Sequence, residues 1–258
     1  MQAQGAAWAQ GLFSEQEIYW YTAGLLSFAS LLFLAWTTRL GGHKRKYGLV
    51  VVYTSLVLTG TYVGMANGVL RYESIDGTAV PVTRFVGYLF GTTTILFVMG
   101  HVGGFSRWLQ AALLVPFLGI VGGTLAGWFF EPPISQLASL SSLLSLPLIA
   151  YLLLGPGARA AAATTSDRRL LFGKLRNIML LAWLGYLVVG VLSRQNLAVL
   201  DAFAGVFLGV YIDVALYVGF GLLLLRTGDA LDQLAGVDDG TRSQSGASGA
   251  EDAAASAD

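Results

Sequence analysis

The sequence predicts an all-α protein, a bundle of seven helices that crosses a membrane. Composition, apolar runs and charge placement predict it. Of the 258 residues, 55% are hydrophobic and only 12% are charged, whereas a soluble domain averages about 25% charged. The mean hydropathy is +0.66. Seven apolar runs approach the roughly 20 residues that span a bilayer at about 1.5 Å of rise per residue. Lysine and arginine also fall unevenly between the connections. So few charges could not cover the surface of a soluble enzyme, a disordered regulator or a nucleic-acid binder.

The runs are 18–40, 47–70, 82–101, 108–130, 134–154, 175–192 and 197–226. Their connections are short, so consecutive helices should be antiparallel neighbours. Glu131-Pro132-Pro133 reads as the turn between the fourth and fifth. The strand alternation of an outer-membrane barrel is absent. Residues 1–17 read as a short extracellular segment, because they lack the basic start of a signal peptide. Residues 18–226 form the membrane domain. From Thr227 to Asp258 the chain is rich in Gly, Ala and Ser and carries seven acids against Arg242. It is expected to be a disordered acidic tail, a composition that suits a halophilic archaeon.

Eleven basic residues fall on one side: Arg39, Lys44, Arg45, Lys46, Arg107, Arg159, Arg168, Arg169, Lys174, Arg176 and Arg226. The other side has Arg71, Arg84 and Arg194. The basic side should be cytoplasmic. That places the N-terminus outside and the C-terminus inside, in a multi-pass protein of the cell membrane. With no cysteine and two histidines, thiolate chemistry is excluded and little remains for a metal site. No phosphate loop, HExxH or GxSxG occurs in a plausible context. Neither catalytic nor metal-ligating residues are expected, and the chain reads as a non-enzyme.

Specific residues narrow the fold. The seventh helix reads Tyr211-Ile212-Asp213-Val214-Ala215-Leu216-Tyr217-Val218-Gly219-Phe220-Gly221, followed by four leucines and Arg226. The third contains Arg84-Phe85-Val86-Gly87-Tyr88-Leu89-Phe90-Gly91-Thr92-Thr93. Trp183 and Tyr186 lie three apart in the sixth, and Tyr62 lies in the second. This set resembles the microbial, bacteriorhodopsin-like rhodopsin family of archaea, over about residues 15–228. The resemblance implies a seven-helix fold built around retinal, held as a Schiff base by a lysine four residues after the seventh-helix Asp.

Here that position is Tyr217, and a phenol cannot form an imine. Of the chain's three lysines, Lys44 and Lys46 lie in the first connection and Lys174 opens the sixth run, so none reaches the middle of the bundle. The resemblance places Gly87 at the family's third-helix counterion Asp and Gly91 at a Thr. Val98 stands at the proton-donor carboxylate, and Thr93 and Leu187 stand at two prolines. Gln195 and Gly205 stand near the proton-release carboxylates. Loss of one cation together with one anion leaves Arg84 and Asp213, which sum to zero. That balance matters, because a charge at the bilayer centre costs about 2.5 to 3.5 kcal/mol on insertion scales.

The candidate cluster is therefore Tyr217, Asp213, Arg84, Tyr62, Gly87, Tyr88, Trp183 and Tyr186. Asp213 and Tyr217, four apart, share one face. Tyr217 either fills the space of the lost lysine, bonded to Asp213 or a water, or lines a ligand cavity. Gly87 and Gly91 either let helices approach closely or open a void for retinal or a carotenoid end-group. Covalent cofactors are not expected; noncovalent retinal or carotenoid stays open as an alternative. Three roles remain open. One is a regulatory or interaction protein, for example in carotenoid or retinal metabolism, or with a transducer or pigmented rhodopsin as membrane partner. Another is a noncovalent retinal or carotenoid carrier or sensor. The third is an inherited photoreceptor or ion-transport role. The expected contacts are the lipid bilayer and a membrane-protein partner or second copy, without nucleic acid.

Overall fold

The computed structural model describes residues 14–75, 77–193 and 197–234. Helices dominate: α1 (Glu15–Arg39), α2 (Lys44–Ala66), α3 (Val82–Val102), α4 (Arg107–Phe129), α5 (Ile134–Leu154), α6 (Pro156–Ala162), α7 (Ser166–Leu192) and α8 (Ala202–Arg226). Seven stretches are long and apolar enough to cross a membrane, with α5 and α6 forming one of them, and their mean hydropathy runs from 1.5 to 2.1.

Local chemistry sets the helix ends. Ser14 and Glu17 form a reciprocal capping box at the start of α1. The Ser106 hydroxyl accepts from the Leu109 N–H at 3.2 Å, and Asp201 accepts from the Ala204 N–H at 2.7 Å. Each satisfies a backbone donor that the first helical turn leaves open. Gly68, at φ +70°, adopts the left-handed conformation that ends α2 at Ala66 rather than at residue 70. The chain then forms an antiparallel hairpin of β1 (Arg71–Glu73) and β2 (Ala79–Pro81), with Tyr72 opposite Val80. Strands of three residues carry too little periodicity to be read from sequence.

Three further expectations are corrected. The sixth span starts at Ser166, not at residue 175. The charges that resembled a loop lie on helix: Arg168 turns inward, is buried, and donates to the His101 and Val102 carbonyls at 2.9 and 3.2 Å. It caps the end of α3, where helical carbonyls lack partners. Residues 15–17, assigned to the N-terminal segment, belong to α1. The tail is not disordered from Thr227 onward: residues 228–234 are helical and bury Ala230, Leu231 and Leu234. Asp232 pairs with Lys44 at 2.6 Å, and Gln233 donates to Asp167 at 2.8 Å. This segment joins the starts of α2 and α7 and places a carboxylate where three basic residues oppose the α2 dipole. The rest of the tail, residues 1–13, Arg194 and Gln195 lie outside the described residues.

Small residues decide how closely helices approach. A Cβ on Gly123 of α4 would lie 2.5 Å from the Ala138 carbonyl oxygen and 3.2 Å from the Ser142 nitrogen of α5. Gly119 and Gly127 meet Ser145 and Ser139 in the same way. This is small-residue packing at four-residue spacing. On α8, a Cβ on Gly219 would strike Ile178 of α7, and one on Gly221 would lie 2.6 Å from Val51 and 2.7 Å from Phe33. The Val-Gly-Phe-Gly sequence thus docks α8 against α7 on one side and α1 and α2 on the other.

Gly123→Leu should force α4 from α5 and cost about 1–3 kcal/mol, as overpacking does. Gly122→Leu should be neutral, because a Cβ there meets nothing within 4 Å. Unfolding both variants in graded SDS checks the difference.

Candidate functional site

The centre of the bundle is organised by Asp213 of α8, whose side chain is wholly buried. A carboxylate taken out of water needs a counter-charge and hydrogen bonds to its lone pairs. Four groups supply them. Arg84 of α3 donates through Nη2 to Oδ2 at 2.7 Å. Tyr62 of α2 donates to the same oxygen at 2.5 Å, and Tyr88 of α3 does so at 3.2 Å. Tyr186 of α7 donates to Oδ1. Tyr88 is also an acceptor, taking Arg84 Nε–H at 2.7 Å. Three of the four donors converge on Oδ2 and one reaches Oδ1, so both carboxylate oxygens are hydrogen-bonded.

Helix geometry produces the convergence. Arg84 and Tyr88 are four apart on α3, so both side chains face α8. Gly209 lies one turn before Asp213, and a Cβ there would come within 2.6 Å of Arg84 Nη2. The glycine leaves the room that the guanidinium occupies. Sequence reasoning missed Gly209; its place four residues before the buried acid was the available signal.

The Tyr217 hydroxyl is directed to α3 and not to Asp213. Its hydroxyl pairs with Thr92 Oγ1 at 3.0 Å, and the residue is fully buried. The expected bond, to Asp213 or a water, is instead one to α3, because the ring lies against Gly91. A Cβ on Gly91 would sit 2.6 Å from the Tyr217 hydroxyl oxygen and 2.7 Å from Cε1. Gly91 opens a notch, and the phenol fills it. Gly87 faces a different helix and would strike Thr61 of α2. Close helix contact accounts for both glycines. Thr92, absent from the expected cluster, belongs to it as the partner of Tyr217.

Trp183 stands apart from the carboxylate. It is buried and stacks on Phe117 of α4 at 6.3 Å with the rings 5° from parallel. Two cavities of the structure lie elsewhere. One of about 390 Å³ is at the hairpin end, and one of about 370 Å³ is a groove on the outer face of α5. The three lysines are remote. Lys174 is exposed on α7, twelve residues and so roughly 18 Å before Tyr186. Lys44 and Lys46 lie at least roughly 24 Å along α2 from Tyr62.

The cluster is a closed charge-balanced network. Its chemistry is to hold one anion, one cation and three phenols in fixed register. Arg84→Gln should cost about 3–5 kcal/mol, because it strands a buried carboxylate. Asp213→Asn should likewise strand the guanidinium, and the double variant should recover much of the loss. A double-mutant cycle of thermal stability measures the coupling. Tyr217→Phe should cost only about 1 kcal/mol, the usual worth of one hydrogen bond.

Residues 14–231 match the family model described as Bacteriorhodopsin-like protein. Among known proteins, the chain is 30% identical to Sensory rhodopsin-2 of Haloarcula vallismortis over 80% of its own length and 88% of the relative's. It is 25% identical to Bacteriorhodopsin-II of Haloarcula marismortui, over 72% and 76% of the two chains. Among solved structures, thermophilic rhodopsin from Rubrobacter xylanophilus superposes with a TM-score of 0.79 at 20% identity, covering 86% of this chain and 99% of that one. Halorhodopsin, a light-driven chloride pump, gives 0.75 at 19% identity, over 85% and 97%. With its fold, its seven spans and most of its length accounted for in this way, the chain belongs to the bacteriorhodopsin-like family of multi-pass membrane proteins.

Proposed function

We propose that this protein works without a covalently bound chromophore, as a regulatory or interaction protein of the membrane. The observation that carries the reading is Tyr217, fully buried in the Gly91 notch and bonded to Thr92. The seventh-helix position that the family resemblance assigns to the Schiff-base lysine is filled by a ring that cannot condense with an aldehyde. The chain's amines are too far away to substitute. Arg84 balances Asp213, so the centre needs no further cation. A role in carotenoid or retinal metabolism, exercised through a membrane partner or a second copy, fits this state. The partner would be met through the lipid-facing helices.

A second reading is noncovalent binding of retinal or a carotenoid. Trp183, buried against Phe117 of α4, is the feature this reading rests on, because the family resemblance places that tryptophan against the chromophore.

One experiment separates the two. The purified protein, expressed with and without all-trans-retinal, should show no visible band while its circular dichroism stays helical. A red-shifted band that releases free retinal on acid denaturation would replace the first reading with the second. A band that survives as a protein adduct would overturn both.

A further inference from the structure

At the hairpin end, a cavity of about 390 Å³ is lined by Gln16, Tyr19, Met65, Ala66, Asn67, Gly68 and Arg71. Its volume falls in the range of small-molecule sites, roughly 300–1,000 Å³. The site is built by the turn that ends α2. Gly68 at φ +70° and Leu70 at φ 51° reverse the chain and bring Arg71 across to Glu15 at the start of α1.

The hydrogen bonds at its wall are unevenly spent. Gln16 donates its amide N–H to the Ala66 carbonyl at 2.9 Å, and Asn67 donates its own to the Val63 carbonyl at 2.7 Å. Both side-chain amides thereby retain carbonyl oxygens as acceptors. Arg71 offers a planar fork of N–H donors suited to a carboxylate. Glu15 engages it through one N–H at 3.4 Å, the long end of a hydrogen bond. Glu15 is meanwhile held by the Tyr19 hydroxyl at 2.6 Å, so it can release Arg71 and stay anchored. Met65 and Ala66 supply an apolar floor, both buried.

We propose that this cavity binds a small α-hydroxy or α-amino carboxylate. Arg71 takes the carboxylate in place of Glu15. The amide oxygens of Gln16 and Asn67 accept from the hydroxyl or ammonium group, and Met65 and Ala66 receive the side chain. The site goes beyond the role proposed above and stands whether or not a polyene binds. It also touches the central network: the Tyr19 ring packs on Tyr62 at 5.9 Å, and Tyr62 donates to Asp213.

The test is thermal unfolding and calorimetric titration of the full chain in nanodiscs, at fixed ionic strength. The probes are sodium L-lactate, L-alanine, sodium propionate and sodium chloride. Lactate or alanine should give a saturable rise in Tm that propionate, which lacks the donor, matches only weakly and chloride does not match. Arg71→Gln should weaken binding by about tenfold or more, the worth of a charged hydrogen bond. Asn67→Trp, an exposed residue at the cavity wall, should abolish binding without entering the core. Arg107→Gln, at the opposite end, should leave it intact. No saturable shift in the wild type would overturn the proposal. So would a shift that survives Arg71→Gln or Asn67→Trp, or propionate binding as well as lactate and alanine.

Discussion

The buried carboxylate of Asp213 is the constraint on which the bundle depends. An ionised group with no exposure is tolerated only if its surroundings neutralise it and fill its lone pairs. The donors come from α2, α3 and α7, and the acid from α8. Four helices are therefore fixed in rotation and height at one level, to within hydrogen-bonding distance. Apolar packing against lipid cannot do this, since lipid tails are as apolar as leucine. The polar network gives register, and Gly209 gives the guanidinium the room to complete it.

Away from that level, close packing takes over, and it divides the molecule. The glycines of α8 hold it against α1, α2 and α7, while those of α4 hold it against α5. Most of α5 shows large leucines outward, so the α4–α5 pair is tight within itself and joined to the rest through a narrower contact. At the basic end the starts of α2 and α7 and the end of α3 are tied by Arg168, Asp232 and Gln233. Polar ties at the end and centre thus secure helices whose intervening surfaces face lipid.

Hydropathy made the spans legible, because a membrane helix is a long run with a single solvent. The mutual neutralisation of Arg84 and Asp213 was legible from charge balance, and Tyr62, Tyr88 and Tyr186 were legible as members of the same cluster. What escaped was set by tertiary contact. The first turns of α7 carry charges that look like loop until Arg168 is seen capping α3. Residues 228–234 look like the head of an acidic tail, yet alanine and leucine at 230, 231 and 234 form a buried face. Tyr217 and Asp213 share a helix face, but rotamer and neighbour send the phenol to Thr92. Gly87 and Gly91 lie four apart on α3 and still meet different helices, one against Thr61 and the other against Tyr217.

A centre without a condensable amine has consequences for how the bundle could change shape. A conformational equilibrium shifts only as far as a ligand or partner binds one state better than another. In this chain the central charges are already matched, and Tyr217 occupies the notch beside them. In the regulatory reading proposed above, a stimulus would then act from outside the centre. The hairpin end offers a direct physical contact, because Tyr19 touches both the Glu15–Arg71 pair, through Glu15, and the ring of Tyr62. A group that draws Arg71 from Glu15 alters the partner of Tyr19, and Tyr19 leans on one of the four donors to Asp213. The same network that fixes helix register is thereby one aromatic contact away from the surface. Under the binding proposed above, occupancy at that surface would bear on α2, α3, α7 and α8 together.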